Sequence, residues 1–332
     1  MSSARSPRRW PLVTAVLVCV IALAGPRTCV REPEMAAVRA EVPRELAALP
    51  AWLQQREERA GVFDTAVAKR VQFVHPAAPT RTAWSVVYLH GFSATRQETA
   101  PVSDQVAKAL GANLFETRLH GHGLPGDSLG TVTAQSWLED AVEALEIGRR
   151  LGDSVLVVGT STGGTLGVWL ATLPPGDRAG LRALVLISPN FGPKDEKARL
   201  LTLPWANVLL PRFIPQREWE ARNDEQRRFW TMKYPSTALF PMQALVERVR
   251  ARDLAGYSVP TLVFLNDDDQ VVDAARTRQW LADLSRETLA PIEQVLVTPA
   301  DGEDGHVLAG RIVSPSQTPM VRDRVVEFVR PR

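Results

Sequence analysis

Between residues 70 and 329 the chain alternates short apolar runs with longer amphipathic stretches. Residues 71–74, 85–89, 113–116, 155–158, 184–187, 261–265 and 294–297 form compact, mostly apolar blocks and predict strands. Residues 97–110, 134–151 and 163–173 predict helices; in the second, Trp137, Ala141, Ala144 and Leu145 recur at helical spacing. Strands that are apolar on both faces, separated by amphipathic helices, imply a mostly parallel sheet covered on both sides. The fold class is therefore α/β. Residues 32–60 also read as helical, interrupted by Pro43 and Pro50, and are expected to pack outside the domain or link it to the envelope.

One stretch breaks the alternation. Residues 189–258 contain no evident strand but many large apolar side chains, among them Leu200, Trp205, Phe213, Trp219, Phe229 and Trp230. A helical insertion of this kind, placed at about 190–257, would lie as a lid over the carboxyl edge of the sheet, where open α/β sheets bind their ligands. The plainer alternative is an extra packing layer. The expected organisation is a targeting segment at 1–24, a helical segment at 25–69, and one α/β domain at 70–332 carrying the insertion.

The N-terminus follows a different rule. Arg5, Arg8 and Arg9 precede an uninterrupted apolar run from position 10 to 24 that ends in Ala22-Leu23-Ala24. A basic head, an apolar middle and a small-x-small end describe a secretory signal peptide. The run is shorter than the roughly 20 residues that cross a bilayer comfortably, so an uncleaved anchor is the second choice. The expected location is periplasmic or secreted, with membrane or envelope association through the N-terminus as the alternative. Composition fits: of 332 residues, 45% are hydrophobic and 23% charged, the profile of a globular protein. The formal net charge is +2, which gives no bulk field to attract nucleic acid. Cleavage after Ala24 removes three of thirty-nine basic residues and none of the thirty-seven acidic ones, leaving −1. Cys19 and Cys29 are too few for a disulfide scaffold or a multi-cysteine metal centre.

The candidate chemistry centres on Gly159-Thr160-Ser161-Thr162-Gly163, between a predicted strand and a predicted helix. This G-x-S-x-G arrangement is a sharp turn that presents the serine oxygen above the sheet, with Gly159 and Gly163 small enough for close backbone approach. A phosphate-binding loop is excluded because Thr165 stands where such a loop needs lysine. A serine nucleophile requires a base and an acid that orients the base. Of His75, His90, His120, His122 and His306, only His306 follows the last strand, where a loop can bring it to the same sheet edge. Asp269 is the preferred acid, at the end of the preceding strand; Asp267 and Asp268 remain open beside it. The order Ser161, Asp269, His306 is that of the nucleophile-elbow hydrolases. Oxyanion donors are expected from the backbone N–H groups of Thr162 and Phe92, with Gly91 allowing the tight turn. His90 is expected to brace that loop. His120 and His122 form a His-x-His pair without further ligands spaced nearby, so no metal site and no cofactor are expected.

Leu89-His90-Gly91-Phe92, Arg118-Leu119-His120-Gly121-His122-Gly123, Gly159-Thr160-Ser161-Thr162-Gly163-Gly164, Asp269-Gln270-Val271-Val272 and Gly305-His306 together resemble the α/β-hydrolase superfamily. The resemblance is greatest to the branch of monoacylglycerol lipases, lysophospholipases, carboxylesterases and prolyl aminopeptidase-like proteins. It spans about residues 70–329. It implies a triad of Ser161, Asp269 and His306 and donors at Phe92 and Thr162. The apolar insertion argues for a small hydrophobic ester (acyl chain or other) as substrate, and the near-neutral charge for no nucleic acid partner. Thr160 and Thr162 depart from the branch, which often has His at the first position and Met or Gln at the second. Two rival readings differ in class. An aminopeptidase would need an acid to capture the substrate amine, for which Glu218, Glu220, Asp224 and Glu225 are candidates. An envelope binding protein would keep the fold without catalysis.

Overall fold

Residues 22–330 are described by the computed structural model of the chain. In chain order the strands are β1 (Arg70–Gln72), β2 (Thr82–Leu89), β3 (Asn113–Glu116), β4 (Gly152–Thr160), β5 (Leu181–Ile187), β6 (Gln216–Glu218), β7 (Lys233–Pro235), β8 (Thr261–Leu265) and β9 (Ile292–Leu296). Seven of them form one sheet in the order β1-β3-β2-β4-β5-β8-β9. Only the β1–β3 pair is antiparallel; the other five pairs are parallel. The strand order reverses between β2 and β4, so the loops leaving those two strands diverge and open a crevice.

Side chains alternate across the sheet with period two, and the two faces feed two cores. Val87, Leu89, Val157, Leu186 and Val263 face α4 (Ala134–Leu151), α5 (Thr162–Ala171), α8 (Leu239–Arg250) and α9 (Ala274–Glu287). Val86, Tyr88, Val158, Val185 and Phe264 face α3 (Val102–Leu110) and α10 (Thr318–Val329). Burial on both faces is why the strands read as continuous apolar runs.

Proline sets several boundaries differently from the sequence pattern. α1 (Met35–Glu41) stops before Pro43 as expected, but Pro50 opens α2 (Leu49–Arg59) instead of interrupting it. In the first helical turn the missing N–H of proline has no helical partner to lose. α3 begins at Val102, five residues later than the pattern suggests, because Ala100 precedes Pro101 and is kept out of helical geometry. The insertion between β5 and β8 contains α6 (Ala206–Phe213), α7 (Asp224–Phe229) and also the antiparallel β6–β7 pair. The expectation of no strand in this stretch is therefore corrected: each strand is three residues long, too short to show a period of two.

The segment before β1 is bolted to the domain. Leu49 and Leu53 of α2 enter the core shared with α4. Glu57 holds Arg118 in a two-point ion pair at 2.6 and 3.0 Å, with both side chains buried. Lys69 is buried between Asp140 and Glu143; burial alone would lower its pKa, but the two carboxylates raise it above the ordinary lysine value. The expected signal peptide and Cys19 lie outside the described residues, apart from the last residues of that segment. Among the described residues no helix is long and apolar enough to cross a membrane, and Cys29 is an exposed free thiol.

Glu57→Gln leaves the Arg118 guanidinium buried without its counter-charge. The expected loss is about 3 kcal/mol of folding stability, read as a lower urea midpoint at unchanged slope.

Candidate active site

The turn between β4 and α5 is set by contact distances that only glycine satisfies. A Cβ on Gly163 would lie 2.0 Å from the Leu89 carbonyl oxygen, and one on Gly159 would lie 2.5 Å from the Gly163 carbonyl oxygen. The chain must therefore reverse within one residue, and Ser161 takes it at φ 51° and ψ −115°. A non-glycine residue in this region is strained by roughly 1–3 kcal/mol. Three backbone bonds hold it there. Ser161 N–H donates to Ile187 O at 2.9 Å, and its carbonyl accepts from Thr165 and Asn190 N–H, each at 3.1 Å.

The loops after β8 and β9 bring an acid and a base together. The Asp269 carboxylate accepts from Val271 and Val272 N–H through Oδ1, at 2.7 and 3.0 Å. Its Oδ2 accepts from His306 Nδ1 at 2.7 Å, which leaves Nε2 as the basic nitrogen. Of the acidic triplet only Asp269 makes this bond; Asp267 pairs with Arg278 at the surface, and Asp268 is exposed. Burial alone would lower the His306 pKa, but Asp269, Asp304 and Glu98 outweigh it and raise it above the ordinary imidazole value. The His306 loop is itself pinned: Asp304 Oδ1 accepts from His306 and Val307 N–H, while Oδ2 binds Arg222 of the insertion at 3.0 Å.

The loop after β2 is braced by His90. Its Nδ1–H donates to Gly91 O at 2.8 Å and its Nε2 accepts from Leu119 N–H at 3.0 Å. Burial lowers its pKa to about 4, so the ring is neutral. His122 is also fully buried, edge-on to His90 at 4.9 Å, whereas His120 is exposed. Among the described residues no group of three or more potential metal ligands occurs. The N–H groups of Phe92 and Thr162 find no acceptor among the described residues, as expected of a first-turn amide at Thr162.

Ser161, His306 and Phe92 line one cavity of about 570 Å³, roofed by Trp219, Trp230 and Tyr234 of the insertion. Three further acids line it, Glu98, Glu218 and Asp304, and no sequence motif announces Glu98 or Asp304. Glu98 is buried, and burial raises its pKa to about 7. A serine on a strained turn, a neutral-capable imidazole held by a carboxylate, and free backbone donors can together perform acyl transfer.

Residues 80–294 match the family described as serine aminopeptidase, S33 (Hydrolase_4). The chain belongs to that family. It is 27% identical over 187 residues to the thermostable monoacylglycerol lipase of Bacillus sp. (strain H-257), a match covering 56% of this chain and 71% of that protein. In fold it resembles a structure of the metagenome-derived lipolytic enzymes LipS and LipT, with a TM-score of 0.58 at 18% identity, covering 77% of this chain and 98% of that one. It also resembles the monoacylglycerol lipase of Paleococcus ferrophilus, with a TM-score of 0.57 at 12% identity over 78% and 96% of the two chains. The chain is thus a hydrolase of the α/β-hydrolase fold, similar in sequence and fold to lipases and esterases.

Gly163→Ala would drive a methyl group into the end of β2. The expected cost is about 3 kcal/mol or more, seen as a lower melting temperature. A variant that melts with the wild type would refute this close approach.

Proposed function

We propose that the protein hydrolyses carboxylic esters with a hydrophobic acyl part, using Ser161 as nucleophile, His306 as base and Asp269 as the residue that orients the base. The observation that carries this reading is the 2.7 Å His306–Asp269 bond at the wall of the cavity that also holds Ser161. His306 takes the Ser161 proton as its oxygen attacks the ester carbon. The carbonyl oxygen becomes anionic and rests on the N–H groups of Phe92 and Thr162. His306 then protonates the leaving alcohol, and water repeats the sequence on the acyl-enzyme. This chemistry requires no cofactor.

The insertion supports a hydrophobic substrate. A second cavity of about 700 Å³, lined by Leu201, Leu210 and Phe213, shares Tyr234, Leu239 and Met242 with the first. An acyl chain leaving Ser161 along that shared wall meets mostly apolar surface, with Arg217 the one charged residue common to both cavities. In this reading the insertion acts as a lid.

The amide reading draws support from the family's description as serine aminopeptidases. Of the acids suggested for amine capture only Glu218 lines the Ser161 cavity, and it is paired; the other three are engaged elsewhere or in solvent. Glu218 pairs with Lys233, Asp224 with Arg227, Glu225 with Arg311, and Glu220 is exposed. Ester cleavage is therefore the reading adopted. We further propose that the protein acts outside the cytoplasm, on the strength of the basic-then-apolar order of residues 1–24. N-terminal sequencing of the mature protein should begin at Gly25; recovery of Met1 from a membrane fraction would favour the anchor.

An active-site fluorophosphonate should label the wild type and fail on Ser161→Ala, and p-nitrophenyl butyrate should be cleaved faster than proline p-nitroanilide. A folded wild type that is neither labelled nor active would point to a binding protein. Asp269→Asn removes the charge that holds the His306 pKa up. Its acid limb should move to lower pH while kcat drops by roughly 10³–10⁴, measured as a pH–rate profile.

A further inference from the structure

Glu98 faces the nucleophile without a counter-ion. No lysine or arginine among the described residues pairs with it, and its carboxyl lines the cavity beside Ser161 and His306. Its Oε2 accepts from Gly91 N–H at 2.8 Å and from the Tyr88 hydroxyl at 2.9 Å. Its Oε1 lies against Gly91: a Cβ there would be 2.7 Å from that oxygen and 3.1 Å from Ser161 Cβ. Glu98, Gly91 and Ser161 are therefore packed together, and a side chain at position 91 would have to displace the Glu98 carboxyl.

This contact bears on the oxyanion donor. The Gly91 carbonyl is turned toward His90 Nδ1 at 2.8 Å and Ala94 N–H at 3.3 Å. A trans peptide is planar, so the Phe92 N–H on the same unit points the opposite way. Glu98 fixes the preceding peptide unit through Gly91 N–H. We propose that Glu98 is a positioning residue of the reaction, which aims the Phe92 amide by holding Gly91, and that it works as a neutral acid. The proposal rests on the ester-hydrolase reading of Ser161.

The groups that face Glu98 support the neutral form. Tyr88 comes from β2, Thr160 and Ser161 from the end of β4, and Asp304 and His306 from the loop after β9, with Asp269 behind His306. Gly91 N–H, the Tyr88 hydroxyl and a protonated His306 favour the charged form, but burial, with Asp304 adding to it, outweighs them. During attack His306 starts neutral and an oxyanion forms beside Phe92. An ionised Glu98 would then oppose the new charge in a site shielded from water. Burial, which raises its pKa to about 7, lets the carboxyl keep its proton into the neutral range.

Glutamine imitates the neutral acid: it accepts the same two hydrogen bonds and cannot ionise. The test is the pH dependence of p-nitrophenyl butyrate hydrolysis by the wild type, Glu98→Gln and Glu98→Ala, with melting curves for each. In the wild type kcat/KM should fall on the alkaline side. In Glu98→Gln that fall should vanish, raising the ratio of kcat/KM at about pH 9 to that at about pH 7 by roughly fivefold or more. Glu98→Ala should lose roughly 10- to 100-fold in kcat rather than in KM, because the donor it aims is used in the transition state. The same alkaline fall in Glu98→Gln, or a larger loss at high pH than at neutral pH, overturns the proposal. A wild-type profile flat to about pH 9 overturns it without any variant. A wild type that fluorophosphonate does not label refutes the Ser161 reading itself. With a labelled and active wild type, a failed pH test counts against Glu98 alone.

Discussion

The close contact between the start of α5 and the ends of β2 and β4 governs the rest of the site. Gly163 is so near the Leu89 carbonyl that no side chain intervenes. Three consequences follow from that one approach. Ser161 is forced to positive φ and lifted over the sheet edge. The first-turn amide of α5, at Thr162, is left without an acceptor among the described residues. The loop after β2 begins at the level of Ser161, so that Phe92, Glu98 and Ser161 line one cavity. The strain at Ser161 is offset by bonds to Ile187, Thr165 and Asn190, so the rigid scaffold around the turn maintains a conformation the residue alone would not choose.

Three acids surround one imidazole, and their hydrogen bonding separates their roles. The Asp269 carboxylate receives two backbone N–H groups and the imidazole, enough donors to satisfy a charge in a buried place. Asp304 receives two backbone N–H groups and an arginine from the insertion, so it shapes the His306 loop and ties it to the roof. Glu98 has two neutral donors, both on one oxygen, and no cation. Two buried carboxyls thereby have different partners: Asp269 holds the His306 imidazole, and Glu98 holds the loop after β2 through Gly91.

Much of this is legible in the amino-acid order, for identifiable reasons. Parallel strands buried on both faces announce themselves as apolar runs, and β3, α4 and β8 end where the pattern ends. The turn at Ser161 is legible because close backbone approach admits only glycine, and glycine is visible in a sequence. The choice within Asp267-Asp268-Asp269 depends on backbone direction at the end of β8, which three identical residues do not encode. Glu98 carries no signal: its importance arises from Tyr88, Gly91 and Ser161, which meet it only after the sheet has formed. The β6–β7 pair leaves no trace in the pattern because strands of three residues are too short to display alternation.

The insertion and the oxyanion loop are one mechanical unit. Phe92, whose N–H is the proposed donor, packs its ring edge-on against Tyr234 of the insertion at 5.2 Å. One residue further, the Ser93 carbonyl accepts from Thr231 N–H of the insertion at 2.7 Å. Tyr234 also forms part of the wall between the two cavities. On the proposed ester-hydrolase reading, an acyl chain filling this chamber would press on the surface that seats Phe92, while Glu98 holds the same loop from below. Substrate fit and donor alignment would then be coupled through these contacts, so that binding energy gained far from the ester carbon could be used at it.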